Sequence, residues 1–162
     1  MHNVFIVTCP GLAYGTNPGL SQPGRALCEK LLALLPPSIS QVITGTGVRH
    51  RDTLHTLGFA NHPKQFVNPM WGTADTLEIQ DDRALVLTMA SGEKALLDPN
   101  SNQPARQSMH LTIRSLAHGT VIISGTETIQ GLFSTAGHVQ PGQVIKVTVN
   151  DRSIWGDNLG PM

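Results

Sequence analysis

Short runs of β-branched and other apolar residues recur along the chain and predict the strands of a sheet. The first run, residues 4–7, has four consecutive apolar residues and is stopped by Pro10 and Gly11, which is typical of a strand buried on both faces. Residues 40–44 and 120–124 are further runs of this kind. Each is short enough for a strand and is followed by a glycine-containing turn, so we expect the three to lie side by side in one sheet.

Apolar residues at helical spacing predict helices between these strands. The clearest helix is expected at 25–35, where leucines recur every three or four residues, Ser21 can serve as the N-cap and Pro36 ends the pattern. Further helices are expected at 49–57, 105–117 and 128–135. Strands that alternate with helices are typical of a parallel sheet. We therefore predict an α/β fold, a three-layer α/β/α sandwich with a mostly parallel central sheet.

The remaining segments have weaker patterns, and together they complete one domain at 1–150 with a short tail. The domain estimate rests on the length of 162 residues, which suits a single core. The weaker assignments are a loop at 60–82 with 69–78 as a flap over the pocket, a strand at 83–89, a strand or helical turn at 94–97, an edge strand at 144–149, and a C-terminal tail at 151–162.

Composition narrows the classes of function. Eleven basic and eleven acidic residues cancel, and charged residues make up only 14% of the chain, so nucleic acid and anionic membranes are not expected as partners. No apolar run approaches the roughly 18 residues of a membrane span, and residues 1–8 lack a signal-peptide pattern, so a cytoplasmic location is expected. Cys9 and Cys28 have no metal-ligand spacing; we expect free thiols, no metal and no cofactor.

Four small or polar residues lie at the carboxyl end of the first predicted strand. In α/β sheets, ligands bind beyond the carboxyl ends of the strands. Thr8, Cys9, Pro10 and Gly11 are therefore expected to line the pocket.

Three separated stretches resemble the motifs of one family. They are residues 20–24 (LSQPG), residues 42–54 (VITGTGVRHRDTL) and residues 121–126 (VIISGT). Their order and spacing resemble the histidine phosphatase, or phosphoglycerate mutase-like, superfamily. In that family the first strand ends in Arg-His-Gly, a later helix carries Arg-Ala-x-x-Thr-Ala, and a late strand ends in Ser-His-Gly. The resemblance spans roughly residues 4 to 149 and implies the same three-layer fold.

The resemblance also implies a degenerate member that lacks the catalytic histidines. The nucleophilic histidine of the family falls at Cys9, the arginine beside it at Thr8, and the second histidine at Gly125, whereas Arg49 matches the second arginine. Glu78 and Glu93 match the family's acid by position only. Family chemistry proceeds through a phosphohistidine held by cationic groups. Phosphatase activity of that type is therefore expected to be absent or vestigial.

Two roles remain open for Arg49, and two residues are candidates for residual catalysis. The planar guanidinium suits an anion, with backbone donors from the turn at 45–47; alternatively it pairs with Asp52 or Asp75. Cys9 and His50 are the catalytic candidates, although no arginine stands six residues after Cys9 as a cysteine phosphatase requires. His50 and His55 are five residues apart, so a shared metal is not expected.

These observations leave two main hypotheses of function. The first is an inactive histidine phosphatase-like protein that binds a small anionic or phosphorylated ligand or acts as an interaction module, with a protein partner possible. The second is a weak or atypical phosphatase or hydrolase that uses Cys9 or His50 with a flap residue. A third outcome is an unrelated doubly wound domain. The expected ligand-binding residues are Thr8, Cys9, Arg49, Ser124, Gly125 and Thr126.

Overall fold

The apolar run at the start of the chain forms a strand in the middle of a six-stranded sheet. A computed structural model describes residues 1–11, 19–73, 103–125, 140–151 and 153–161, with the pairs 79–80, 83–84, 87–88 and 94–95. The sheet strands are β1 (His2–Thr8), β2 (Gln41–Thr44), β3 (Gln65–Val67), β8 (Thr120–Ser124), β9 (Val144–Val149) and β10 (Ile154–Gly160). The helices are α1 (Gln22–Ala33), α2 (Val48–Thr56) and α3 (Gln103–Ser115), and a 3-10 turn spans Pro69–Trp71.

The sheet is mixed, with a parallel centre. Its order is β10-β9-β1-β8-β2-β3. Strands β1, β8, β2 and β3 run parallel to their neighbours, whereas β9 is antiparallel to β1 and β10 is antiparallel to β9. This arrangement confirms the predicted α/β class. The parallel crossovers bring the carboxyl ends of β1, β8 and β2 to one edge of the sheet.

Alternating residues of β1 separate the two layers of the core. Phe5 and Val7 pack in one cluster with Leu31 of α1 and with buried residues of α2. Val4 and Ile6 pack on the opposite face with Ile113 of α3 and with Trp71. Helices therefore lie on both faces of the sheet, as the burial of both faces of β1 requires.

The boundary of α1 follows from its capping residues. The Ser21 hydroxyl accepts a hydrogen bond from the Gly24 N–H at 3.2 Å, which confirms the predicted N-cap. Pro23 lies in the first turn, where its missing N–H costs nothing. The helix therefore begins at Gln22, three residues earlier than the leucine spacing alone indicates.

The structure differs from the sequence-based expectations at both edges of the sheet. The expected edge strand β9 is internal, because β10 pairs with it from Ile154 to Gly160. The expected tail therefore contains an edge strand, formed by polar residues that carry little strand propensity of their own. At the other edge, β3 lies within a segment that was expected to be a loop, and it is parallel to β2.

The segment expected as one strand at 83–89 is described only in part. β5 (Arg83–Ala84) pairs with β4 (Ile79–Gln80), and β6 (Leu87–Thr88) pairs with β7 (Lys94–Ala95). Both pairs are two-stranded and separate from the main sheet. The helix expected at 128–135 lies outside the described residues.

Membrane insertion by a helix finds no support in the described part of the chain. None of its helices combines the length and the apolar character that a crossing requires.

Candidate functional site

The ends of three parallel strands meet at one edge of the sheet. Thr8 lies opposite Ser124 in the pairing of β1 with β8. Beyond the ladder, the Cys9 N–H donates to the Ser124 carbonyl at 3.1 Å, and the Gly45 N–H donates to the Ile123 carbonyl at 3.2 Å. The structure thus brings the end of β1 together with two of the stretches that carry the family resemblance, 42–54 and 121–126.

The Thr8 side chain is hydrogen-bonded to the backbone of the segment before β9. Its hydroxyl donates to the Gln140 carbonyl at 2.6 Å and accepts from the Gln143 N–H at 2.8 Å. The side chain is fully buried. Where the family resemblance predicts an arginine, this chain therefore has a hydroxyl that fixes the segment before β9.

Cys9 is a buried thiol at the end of β1. Only 1% of the residue is exposed, and both Cys9 and Cys28 are free cysteines, as the sequence predicted. Burial raises the pKa of the Cys28 thiol to about 11, against a smaller lowering by Arg25. Cys28 is therefore a neutral thiol at physiological pH.

Arg49 lies in the first turn of α2 and is fully buried. Its Nη2 donates to the carbonyl oxygen of Thr73 at 2.8 Å. Asp52, one of its two expected partners, forms an ion pair with Arg25 at 3.0 Å and accepts from the Leu20 N–H at 3.1 Å. Asp75, the other expected partner, lies outside the described residues. The guanidinium is therefore held against the segment that follows the 3-10 turn.

Three consecutive backbone carbonyls face this edge of the sheet. The Trp71 carbonyl accepts from the Ser124 hydroxyl at 3.1 Å and from the Gly125 N–H at 3.0 Å. The Gly72 carbonyl accepts from the Thr46 N–H at 2.9 Å. Together with the Thr73 carbonyl bound by Arg49, these contacts fix residues 71–73 across the ends of β2 and β8.

His50 fills a space walled by glycine. A Cβ added to Gly45 would lie 2.7 Å from the His50 ring, one on Gly47 would lie 2.9 Å from Nδ1, and one on Gly72 would lie 2.5 Å from Nε2. Nδ1 accepts a hydrogen bond from the Gly47 N–H at 3.1 Å. Nε2 is buried and has no hydrogen-bond partner among the described residues. The neutral ring therefore carries its proton on Nε2.

The charge state of His50 follows from its surroundings. Burial first, and then the positive charge of Arg49, lowers the pKa of the imidazole from 6.5 to about 3. Both causes disfavour the cationic form. His50 is therefore neutral throughout the physiological range.

The remaining site predictions fall on residues without a description. Thr126, Glu78 and Glu93 lie outside the described residues. Among those that are described, no three metal-ligating side chains cluster. The sequence pattern did not single out residues 71–73, whose backbone makes the contacts; the only local signal was the Trp71-Gly72 pair directly after the Asn68-Pro69 break.

Solved structures identify the fold of this chain, whereas sequence families and curated proteins do not. No protein-family model matches this sequence. No curated protein matches it either.

Solved structures do match. YhfR of Bacillus stearothermophilus is 9% identical with a TM-score of 0.68, over 99% of this chain and 97% of that one. A phosphoglycerate mutase from Thermus thermophilus is 17% identical with a TM-score of 0.62, over 99% of both chains. A mycobacterial glucosyl-3-phosphoglycerate phosphatase is 11% identical with a TM-score of 0.58, over 90% of this chain and 89% of that one. The chain therefore has a phosphoglycerate mutase-like fold, as the sequence predicted.

Proposed function

We propose that this chain is a noncatalytic member of the histidine phosphatase superfamily that binds a small anionic or phosphorylated ligand at the ends of β1, β2 and β8. The observation that carries the proposal is the fate of the motif positions. Cys9 and Gly125 both adjoin Ser124 where two imidazoles are expected, while the matched arginine, Arg49, lies at the same edge. The cation that would bind a phosphoryl group is kept, and the nucleophile is lost.

His50 is the only imidazole near this edge in the part of the chain that the structure describes, and it is unsuited to nucleophilic attack. A neutral imidazole has one ring nitrogen with a free lone pair. In His50 that nitrogen is Nδ1, which already accepts from the Gly47 N–H. The ring is also fully buried. These contacts favour a packing role for His50 over phosphoryl transfer.

Burial also argues against Cys9 as a replacement nucleophile. A reactive cysteine needs access and a thiolate, and it lies in a partly exposed, electropositive site. Cys9 is 1% exposed. The alternative of a weak or atypical phosphatase therefore lacks the partly exposed, electropositive thiol that such chemistry uses.

Two measurements test the proposal. Inorganic phosphate is expected to raise the melting temperature, because a ligand that binds the native state stabilises it. The rise should disappear in Arg49→Lys, which keeps the charge but loses the two-pronged donor. Arg51→Lys is the matched control, since Arg51 is exposed on the same helix. A panel of phosphate esters should show no turnover.

Each contrary result has a definite meaning. Ester hydrolysis that vanishes in Cys9→Ala would establish an enzyme. If phosphate does not change the melting temperature and no ester is hydrolysed, anion binding is refuted and the interaction module remains. A phosphate effect that survives in Arg49→Lys would place the anion elsewhere.

A further inference from the structure

The donors at the ends of β2 and β8 are already occupied, and by one continuous piece of backbone. Residues 71–73, here named the strap, offer three successive carbonyl oxygens. They accept from the Gly125 N–H and the Ser124 hydroxyl, from the Thr46 N–H, and from the Arg49 guanidinium, at 2.8 to 3.1 Å. Backbone N–H groups, a hydroxyl and a guanidinium are also the donor types that bind the oxygens of phosphate.

The strap is positioned by features on both of its sides. Asn68 caps the preceding 3-10 turn by accepting from the Met70 N–H at 2.9 Å, and the Trp71 side chain is fully buried in the core. Gly72 has a φ of +131°, which L side chains rarely adopt. The backbone thus turns sharply at Gly72 and directs its carbonyls toward the donors.

We propose that the strap is an internal competitor that occupies the donors in place of a tetrahedral oxyanion. This inference rests on the proposed function, because it describes how access to that same site is controlled. An oxyanion and the strap carbonyls need the same N–H groups, so the two bind in mutually exclusive fashion. The apparent affinity for the anion is then reduced by the fraction of molecules in which the strap is released.

The inference predicts a variant that binds better than the wild type. Gly72→Ala introduces a Cβ at a left-handed φ and 2.5 Å from Nε2 of His50, so the docked strap becomes unfavourable. We expect phosphate to bind about tenfold more tightly to Gly72→Ala than to wild type. Gly58→Ala is the matched control. Gly58 has a φ of +89° but open space around its Cβ position, so it adds backbone strain without touching the site.

Amide hydrogen exchange measures whether the strap is bound to its donors, and it requires no ligand. The Thr46 and Gly125 N–H groups donate to the strap, whereas the Gly45 N–H donates to Ile123 within the sheet. In Gly72→Ala the first two should exchange about tenfold faster while the third is unchanged. Inorganic phosphate should protect Thr46 and Gly125 again.

The outcomes separate this inference from the proposal on which it rests. If exchange at Thr46 and Gly125 is unchanged, or if exchange at Gly45 rises equally, the claim that Gly72→Ala releases the strap is refuted. Selective release without tighter phosphate binding than wild type would overturn its role as a competitor. Selective release with no phosphate binding in any variant would instead refute the anion ligand. If Gly72→Ala does not fold, Asn68→Ala removes the cap of the turn and should give the same pattern at smaller amplitude.

Discussion

Acidification is expected to destabilise this protein through one buried ring. The imidazole of an unfolded chain has a pKa of about 6.5, whereas burial and then Arg49 lower the pKa of His50 in the folded chain to about 3. Between these two pH values, the imidazole of His50 is protonated in the unfolded chain and neutral in the folded chain. The stabilisation is therefore fully present above about pH 6.5 and is lost as the pH falls toward about 3.

The size of the loss follows from the distance to the unfolded pKa. Each pH unit corresponds to about 1.4 kcal/mol, so a fall to about pH 5 costs about 2 kcal/mol of unfolding free energy. At that pH the result depends on the unfolded pKa and hardly at all on the folded one. Because His50 is fully buried, the effect is not reduced by solvent screening.

Urea unfolding of two variants isolates this contribution. His50→Asn keeps an acceptor for the Gly47 N–H and cannot titrate; His55→Asn removes an exposed imidazole of the same helix. Between about pH 7.5 and about pH 5, wild type should lose about 2 kcal/mol more than His50→Asn, because the two share every other titrating group. His55→Asn, which keeps His50, should also lose more than His50→Asn. Equal losses in wild type and His50→Asn would refute the reasoning.

Two further predictions concern packing and buried hydrogen bonds, both measured by urea unfolding. Leu31 is fully buried and Leu32 is 44% exposed, so Leu31→Ala should cost about 3 kcal/mol and Leu32→Ala less than about 1; equal costs would contradict the assigned face of α1. Thr8→Val leaves the buried Gln143 N–H without the hydroxyl that it binds, at a cost of about 1–3 kcal/mol. Thr53→Val, whose hydroxyl bonds only within its own helix, should cost less, and the reverse order would argue against the Thr8 network.

The parallel centre of the fold was predictable because local and long-range preferences agree there. β1, β2 and β8 are apolar, β-branched runs, and Ser21 is a strong capping residue. β10 was missed since Gly156, Asp157 and Asn158 disfavour strands when considered alone. These residues form a strand because β9 supplies a neighbouring edge. Tertiary pairing of this kind has no local signature.

The placement of the motif residues was predictable, whereas their contacts were not. The motif order predicts Cys9, Ser124 and Arg49 at one edge of the sheet, and these three residues lie there. No residue type marks the strap, because its contacts are made by carbonyl oxygens that every residue has. The burial of His50 was hidden as well, since it lies in a helix between two arginines.

The ring of His50 also limits which sequences can inherit this arrangement. Any side chain at 45, 47 or 72 would enter the van der Waals volume of the imidazole. While His50 keeps its place, a side chain at any of these positions therefore forces the ring or the neighbouring backbone to move. His50 and the three glycines therefore depend on one another, because each glycine leaves space that the ring fills.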